Sequence, residues 1–174
     1  DIENEEFRRS KSPVPDIQLQ SVRAAIEQFM NNATNLRIER APRLRMSLTK
    51  EQKAVYVDQL SDGEKCLLAL IGDLARRLAI ANPTSKSPLE ESGIVLIDEI
   101  DLHLHPAWQR SIVPRLEKCF PKCQFIVTTH SPIIISDTEH EKVWKLTQRN
   151  GVTNAVRPEE SYGKDVNSVL EDIM

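Results

Sequence analysis

The sequence predicts an α/β protein: a mostly parallel sheet with flanking helices, joined by a small antiparallel element. Three observations carry this. Ile94-Val95-Leu96-Ile97 follows Gly93 as a short apolar run, which reads as a strand buried on both faces of a parallel sheet. A second apolar run, Phe125-Ile126-Val127, comes after one helical stretch, so the two strands form a βαβ crossover and end at the same sheet edge. Between Leu36 and Val57 the pattern changes to short stretches separated by turn residues, as antiparallel strands require.

In chain order, residues 1–15 are charged and then Ser/Pro-rich, which reads as a linker or a fragment edge. Residues 16–174 form the folded part. Asp16 is placed to cap a helix from about Ile17 to Met30, with Leu19, Val22, Ile26 and Phe29 on one face. Three strands follow at about 36–40, 44–48 and 54–57, turning at Ala41-Pro42 and Lys50-Glu51-Gln52. Arg37, Arg40, Arg43 and Arg45 read as their solvated face, with a phosphate-backbone contact as the alternative. Ser61 and Glu64 form a capping box for a helix whose apolar face is Leu67, Leu70, Ile71, Leu74 and Leu78. The loop from Asn82 to Ser92 leads to the first parallel strand. A helix from Pro106 carries Ile112, Val113 and Leu116 inward, and Pro114 inside it should bend or shorten it. Ile133-Ile134-Ile135 is short and apolar, residues 143–156 read as a hairpin turning at Arg149-Asn150-Gly151, and Lys164–Met174 as an amphipathic helix.

Composition sets limits. A net charge of −3 gives no global pull toward nucleic acid, so any such contact needs a local patch or a partner. No apolar run approaches the ~20 residues of a membrane span, so no membrane partner is expected. The acidic start, Asp1-Ile2-Glu3-Asn4-Glu5-Glu6, lacks the basic and apolar regions of a signal peptide. Cys66, Cys119 and Cys123 form an odd set without a second ligand pair; reduced thiols in a cytoplasmic protein fit it better than zinc.

Chemistry concentrates at the strand ends. Asp98 and Glu99 abut the first apolar run, followed by Asp101, His103 and His105; the second run ends in Thr128-Thr129-His130-Ser131-Pro132. Carboxylates beside a core need a cation, a partner or a task, and the carboxyl edge of such a sheet is where α/β proteins bind ligands. A strand exit into a polar loop is the plainer alternative, as is metal binding for the two histidines. At the capping box, Gly63 stands inside the helix start, where glycine costs roughly 1 kcal/mol against alanine. It suits close approach of an anion such as phosphate to the free N–H groups and positive dipole of the helix end.

Leu60-Ser61-Asp62-Gly63-Glu64-Lys65, the strand from Ile94 to Glu99, and Thr129-His130-Ser131-Pro132 together resemble the ABC-type ATPase heads of the RecF/RecN/SMC group. The likeness is nearest to the AAA-like ATPases of bacterial phage defence, such as the Septu subunit and the ATPases accompanying some retrons. It covers about residues 17–174 and implies a P-loop NTPase fold. By this resemblance Asp98 is the Walker B carboxylate holding Mg²⁺, Glu99 the general base and His130 the switch histidine at the γ-phosphate. Asp101 falls in the loop used across the dimer interface; Ser61, Gly63 and Glu64 form the signature motif, which grips ATP bound to the opposite subunit. The resemblance further implies ATP as nucleotide, a homodimer closed through an ATP sandwich, and control of a nuclease or DNA-associated partner in defence or DNA repair.

One part of the pattern is missing. None of the five glycines, Gly63, Gly72, Gly93, Gly151 and Gly163, opens a G-x-x-x-x-G-K-[ST] loop. The expectation is therefore a C-terminal lobe that works with an N-terminal P-loop lobe of the same protein and is inactive alone. The alternatives are a non-catalytic module lending its signature clamp to a partner ATPase, and a metal-dependent nuclease using Asp98, Glu99 and Asp101.

Overall fold

The computed structural model describes residues 16–157 apart from positions 31, 41, 139–142 and 150. The expected linker at 1–15 and helix at 164–174 lie outside the described residues, as does Ala41 of the first turn. The chain packs as two units. One runs to Ile94 and takes back Leu116–Gln124; the other comprises Val95–Arg115 and the residues from Phe125 on.

The first unit opens with α1, Ile17–Phe29. The Asp16 carboxylate accepts the N–H groups of Gln18 at 2.9 Å and Leu19 at 3.4 Å, donors with no partner inside the helix. Strands β1 (Ala33–Glu39), β2 (Arg45–Lys50) and β3 (Lys53–Tyr56) make the expected antiparallel element in that order. Glu51 and Gln52 both adopt left-handed backbone, φ 48° and 66°, giving the two-residue turn whose twist matches paired strands. Helix α2, Asp62–Ala81, packs along α1. Its buried stripe includes Leu67, Leu68, Ile71, Leu74, Ala75 and Leu78, whereas Leu70 is only half-buried and Cys66 is exposed. The stripe is wider than the apolar count implied because α2 also meets the short helical turn Pro88–Glu90. Leu116, Cys119 and Phe120 complete this core with Ala25, Ile26 and Phe29. Burial pushes the Cys119 thiol up to about 12, so it stays protonated at neutral pH.

Strands β4, Gly93–Ile97, and β5, Cys123–Val127, are hydrogen-bonded neighbours joined by a helical crossover. One expectation is overturned here: β4 is not buried on both faces. Ile94 is 69% exposed, Leu96 74% and, on β5, Ile126 52%, while the alternate residues are half-buried. An apolar run records that both faces suit a core; it takes a second packed layer to cover the second face, and the described residues supply none on this side.

In the crossover Pro114 shortens the helix rather than bending it. The crossover consists of α3, Pro106–Gln109, and α4, Ile112–Cys119. Pro114 has no N–H, and its ring would strike the carbonyl four residues back, at Arg110; the helix is interrupted there. Within the second unit the Ile133–Ile135 run lies in α5, Pro132–Asp137, capped by Ser131, whose Oγ accepts the Ile134 N–H at 3.4 Å. Strands β6, Lys145–Arg149, and β7, Val152–Val156, form the expected hairpin, with Gly151 at φ 76°. No helix among the described residues is long and apolar enough to cross a membrane.

Candidate active site

The two strand ends meet in the second unit. Thr128 N–H donates to the Ile97 carbonyl at 2.9 Å, and Ile100 N–H to the Thr128 carbonyl at 3.0 Å, so backbone pairing continues past both strands. Beyond it, two adjacent threonines organise the carboxylates. The Thr128 hydroxyl donates to Asp98 Oδ1 and accepts the Glu99 N–H at 2.8 Å. The Thr129 hydroxyl donates to Asp101 Oδ1 and accepts the Ser131 N–H at 3.0 Å. Asp101 Oδ1 also takes the His130 N–H at 3.2 Å. Each hydroxyl thus uses its single proton on a carboxylate and a lone pair on a backbone N–H.

Asp98, Glu99, Asp101 and His130 are therefore brought together as the sequence implied. Thr128 and Thr129, to which the sequence pattern assigns no role, hold Asp98, Asp101 and the Glu99 backbone. The available signal was two hydroxyl side chains at a strand end directly before the histidine.

Glu99 has φ 49° and His103 φ 61°, left-handed backbone that costs a non-glycine residue about 1–3 kcal/mol. The bond from Thr128 and the Leu102 N–H donating to the Glu99 carbonyl at 2.9 Å hold the Glu99 turn in place. Its carboxylate is exposed and has no hydrogen-bond partner among the described residues. The histidine pair does something else: His105 Nδ1 accepts the Ala107 N–H at 3.2 Å and caps α3. Among the described residues no three His, Cys, Asp or Glu side chains are grouped to hold a metal ion.

In the first unit, Ser61, Gly63 and Glu64 form the start of α2. Ser61 Oγ accepts the Glu64 N–H at 3.3 Å, and Glu64 Oε2 takes the Ser61 N–H at 3.2 Å, the reciprocal bonds of the expected capping box. Gly63 is buried. Lys50, at the end of β2, adds a contact the sequence did not indicate: its Nζ lies 2.5 Å from Glu64 Oε1. Burial pushes the Glu64 carboxyl up, but the Lys50 ammonium and the Ser61 bonds outweigh it and leave it below the ordinary carboxylate value. A depressed pKa contributes stability that is present above the unfolded value of 4.5 and lost as pH falls through the folded one. Lys50→Met should thus lower stability at pH 7 and lose that deficit as pH falls from 4.5 through the lower folded value, as chemical denaturation over an acid pH series would read out; a deficit that does not change with pH would assign it to packing.

The fold is that of an SMC-type ATPase head. The chain overlays one described under "Structural biochemistry of ATP-driven dimerization and DNA stimulated activation of SMC ATPases" with a TM-score of 0.63 at 19% identity, covering 98% of this chain and 96% of that one. The SMC head domain from Thermotoga maritima overlays with a TM-score of 0.56 at 24% identity, covering 90% of this chain and 52% of that one. Residues 4–136 match the family described as "AAA domain, putative AbiEii toxin, Type IV TA system", and the chain belongs to it. "Retron Ec83 probable ATPase" of Escherichia coli is 51% identical over 133 residues, which span 76% of this chain and 24% of that protein. "Retron Vc95 probable ATPase" of Vibrio cholerae is 40% identical over 150 residues, 86% of this chain and 29% of that protein. "Septu protein PtuA" of Bacillus thuringiensis is 26% identical, over 97% of this chain and 45% of that protein. The chain thus spans between a quarter and a half of the length of these relatives.

Proposed function

We propose that residues 16–174 are the C-terminal lobe of an ATP-hydrolysing head, which completes its nucleotide site with a P-loop lobe and a second head. The observation that carries this reading is the meeting of these groups at the two strand ends: Thr128 holds Asp98 and the Glu99 N–H, Thr129 holds Asp101, and Asp101 takes the His130 N–H. Asp98 suits Mg²⁺: it is exposed, one oxygen is oriented by Thr128 and the other has no partner among the described residues. Mg²⁺ commonly takes one or two carboxylates and keeps waters. When bound, the ion neutralises charge on the terminal phosphates.

The protein's own groups do the rest. Glu99, held outward by its left-handed backbone, orients the attacking water and takes its proton. His130, whose main chain is anchored to Asp101, points a ring N–H at the γ-phosphate. Asp101 fixes that histidine and the loop that meets the second head. At α2 the Ser61 and Gly63 end of the helix receives the γ-phosphate of ATP bound to the opposite head. Glu64, already engaged by Lys50 and Ser61, shapes that turn; a carboxylate facing phosphate would repel it.

Dimerisation driven by ATP would then control a nuclease or DNA-associated partner. The retron and Septu relatives support a defence role over one in DNA repair.

Turnover by the full-length protein tests the proposal. Mg²⁺-dependent ATP hydrolysis is expected, with Asp98→Asn losing it while thermal unfolding is unchanged. Undiminished turnover in Asp98→Asn, or DNA cleavage without ATP, would sink the assignment.

A further inference from the structure

The β1–β2 pair carries a charge distribution that the nucleotide site does not use. Between positions 37 and 45 stand four arginines, Arg37, Arg40, Arg43 and Arg45, against one acid, Glu39, in a chain whose net charge is −3. All four are exposed. Three arginines elsewhere have acidic neighbours: Arg76 and Arg77 lie 3.9 and 2.5 Å from Asp73, and Arg110 2.7 Å from Asp137. These four have no carboxylate within ion-pair distance among the described residues. Glu39 is instead occupied by the Ser47 hydroxyl at 2.7 Å.

Register places the charges on a projecting ribbon. β3 pairs with β2 only from Ser47, opposite Tyr56, onward, whereas β1 and β2 continue through Ile38↔Met46 and Glu39↔Arg45. Beyond that pair β1 and β2 run on without backbone pairing to β3, and Arg37, opposite Ser47, stands at the base of this two-stranded ribbon. Arg45 is stacked 5.0 Å over the Tyr56 ring, and Arg37 Nε donates to Asn35 Oδ1 at 2.7 Å, contacts that order both guanidinium groups without neutralising them. Apolar side chains are interleaved, with Ile38 42%, Leu44 75% and Met46 38% exposed.

We propose that this ribbon end is a nucleic-acid contact that binds the phosphodiester backbone of a duplex through Arg37, Arg40, Arg43 and Arg45. A two-stranded antiparallel ribbon fits the major groove of DNA, and guanidinium groups are suited to phosphate oxygens. Backbone contacts position without reading sequence, so binding tolerates changes of base composition. An acidic protein surface would present carboxylates in a fixed three-dimensional arrangement; exposed apolar side chains at Ile38, Leu44 and Met46, set between the charges, suit a repeating polyanion with sugar faces between phosphates.

The inference does not rest on the ATPase reading, and its test is run without nucleotide so that the two can fail separately. The probe is a labelled mixed-sequence DNA duplex of about 30 base pairs, titrated with full-length protein by fluorescence anisotropy across a salt series. Replacing all four arginines by Gln should weaken binding by about tenfold or more at low salt and reduce the salt slope by about 3 to 4, near 0.9 per lost phosphate contact. The corresponding Lys variant should keep most of the affinity and slope, since charge is retained on the same exposed scaffold. Wild-type affinity and slope in the Gln variant would overturn the proposal, as would equal losses in the Gln and Lys variants. Binding of polyglutamate as tight as that of the duplex would overturn it in favour of an acidic protein partner.

Discussion

Glu99→Gln in the full-length protein is expected to slow ATP hydrolysis by about 10²–10⁴-fold, the usual contribution of a positioned general base. Gln keeps the shape and the backbone N–H that donates to Thr128, so the strand end should stay folded and nucleotide should still bind. The expected signature is therefore a split: single-turnover hydrolysis falls while ATP affinity holds and the ATP-bound dimer, read by light scattering, accumulates. Unchanged turnover would remove Glu99 from the role of base. The left-handed backbone at Glu99 gives the prediction its structural footing, since strain of this kind persists only where surrounding bonds impose it.

Leu96→Lys should destabilise the full-length protein on the order of 3 kcal/mol, the scale of an unpaired charge forced into a packed interior. Within this chain Leu96 is 74% exposed and Lys would be harmless. The loss is expected because Leu96 and Ile126 lie on the open side of β4–β5, in a family whose retron relatives are about three to four times the length of the matching segment. Leu44→Lys, at a position 75% exposed on the ribbon, is the control and should leave thermal unfolding of the full-length protein unchanged. Equal melting temperatures for both variants would mean that no further layer covers this sheet face.

Much of the architecture was legible because local physics encodes it. Asp16 and Ser61 announce helix starts through their capping oxygens, and both helices begin there. Asn150-Gly151 announces a hairpin, and Gly151 has the positive φ that such a turn needs. The βαβ pattern placed Asp98, Glu99 and His130 at one edge because parallel strands joined by a crossover must end together. Pro114 was legible as a disturbance but not as a break at Arg110, since the outcome depends on how the clash with the preceding turn is relieved.

By itself, then, the sequence determined the class of fold, the helix starts, the paired strand ends and the identity of the groups delivered to them. These follow from periodicity, capping and crossover geometry, which act over a few residues. Only tertiary structure decided that Thr128 and Thr129 orient the carboxylates, that Lys50 holds Glu64, that β4 leaves Ile94 and Leu96 bare, and that the β1–β2 pairing runs on past the last β2–β3 pair. Each depends on which side chains from distant positions meet, and on which layers are present to cover a face. Apolar residues state a preference for burial; the packed chain alone determines where that preference is met.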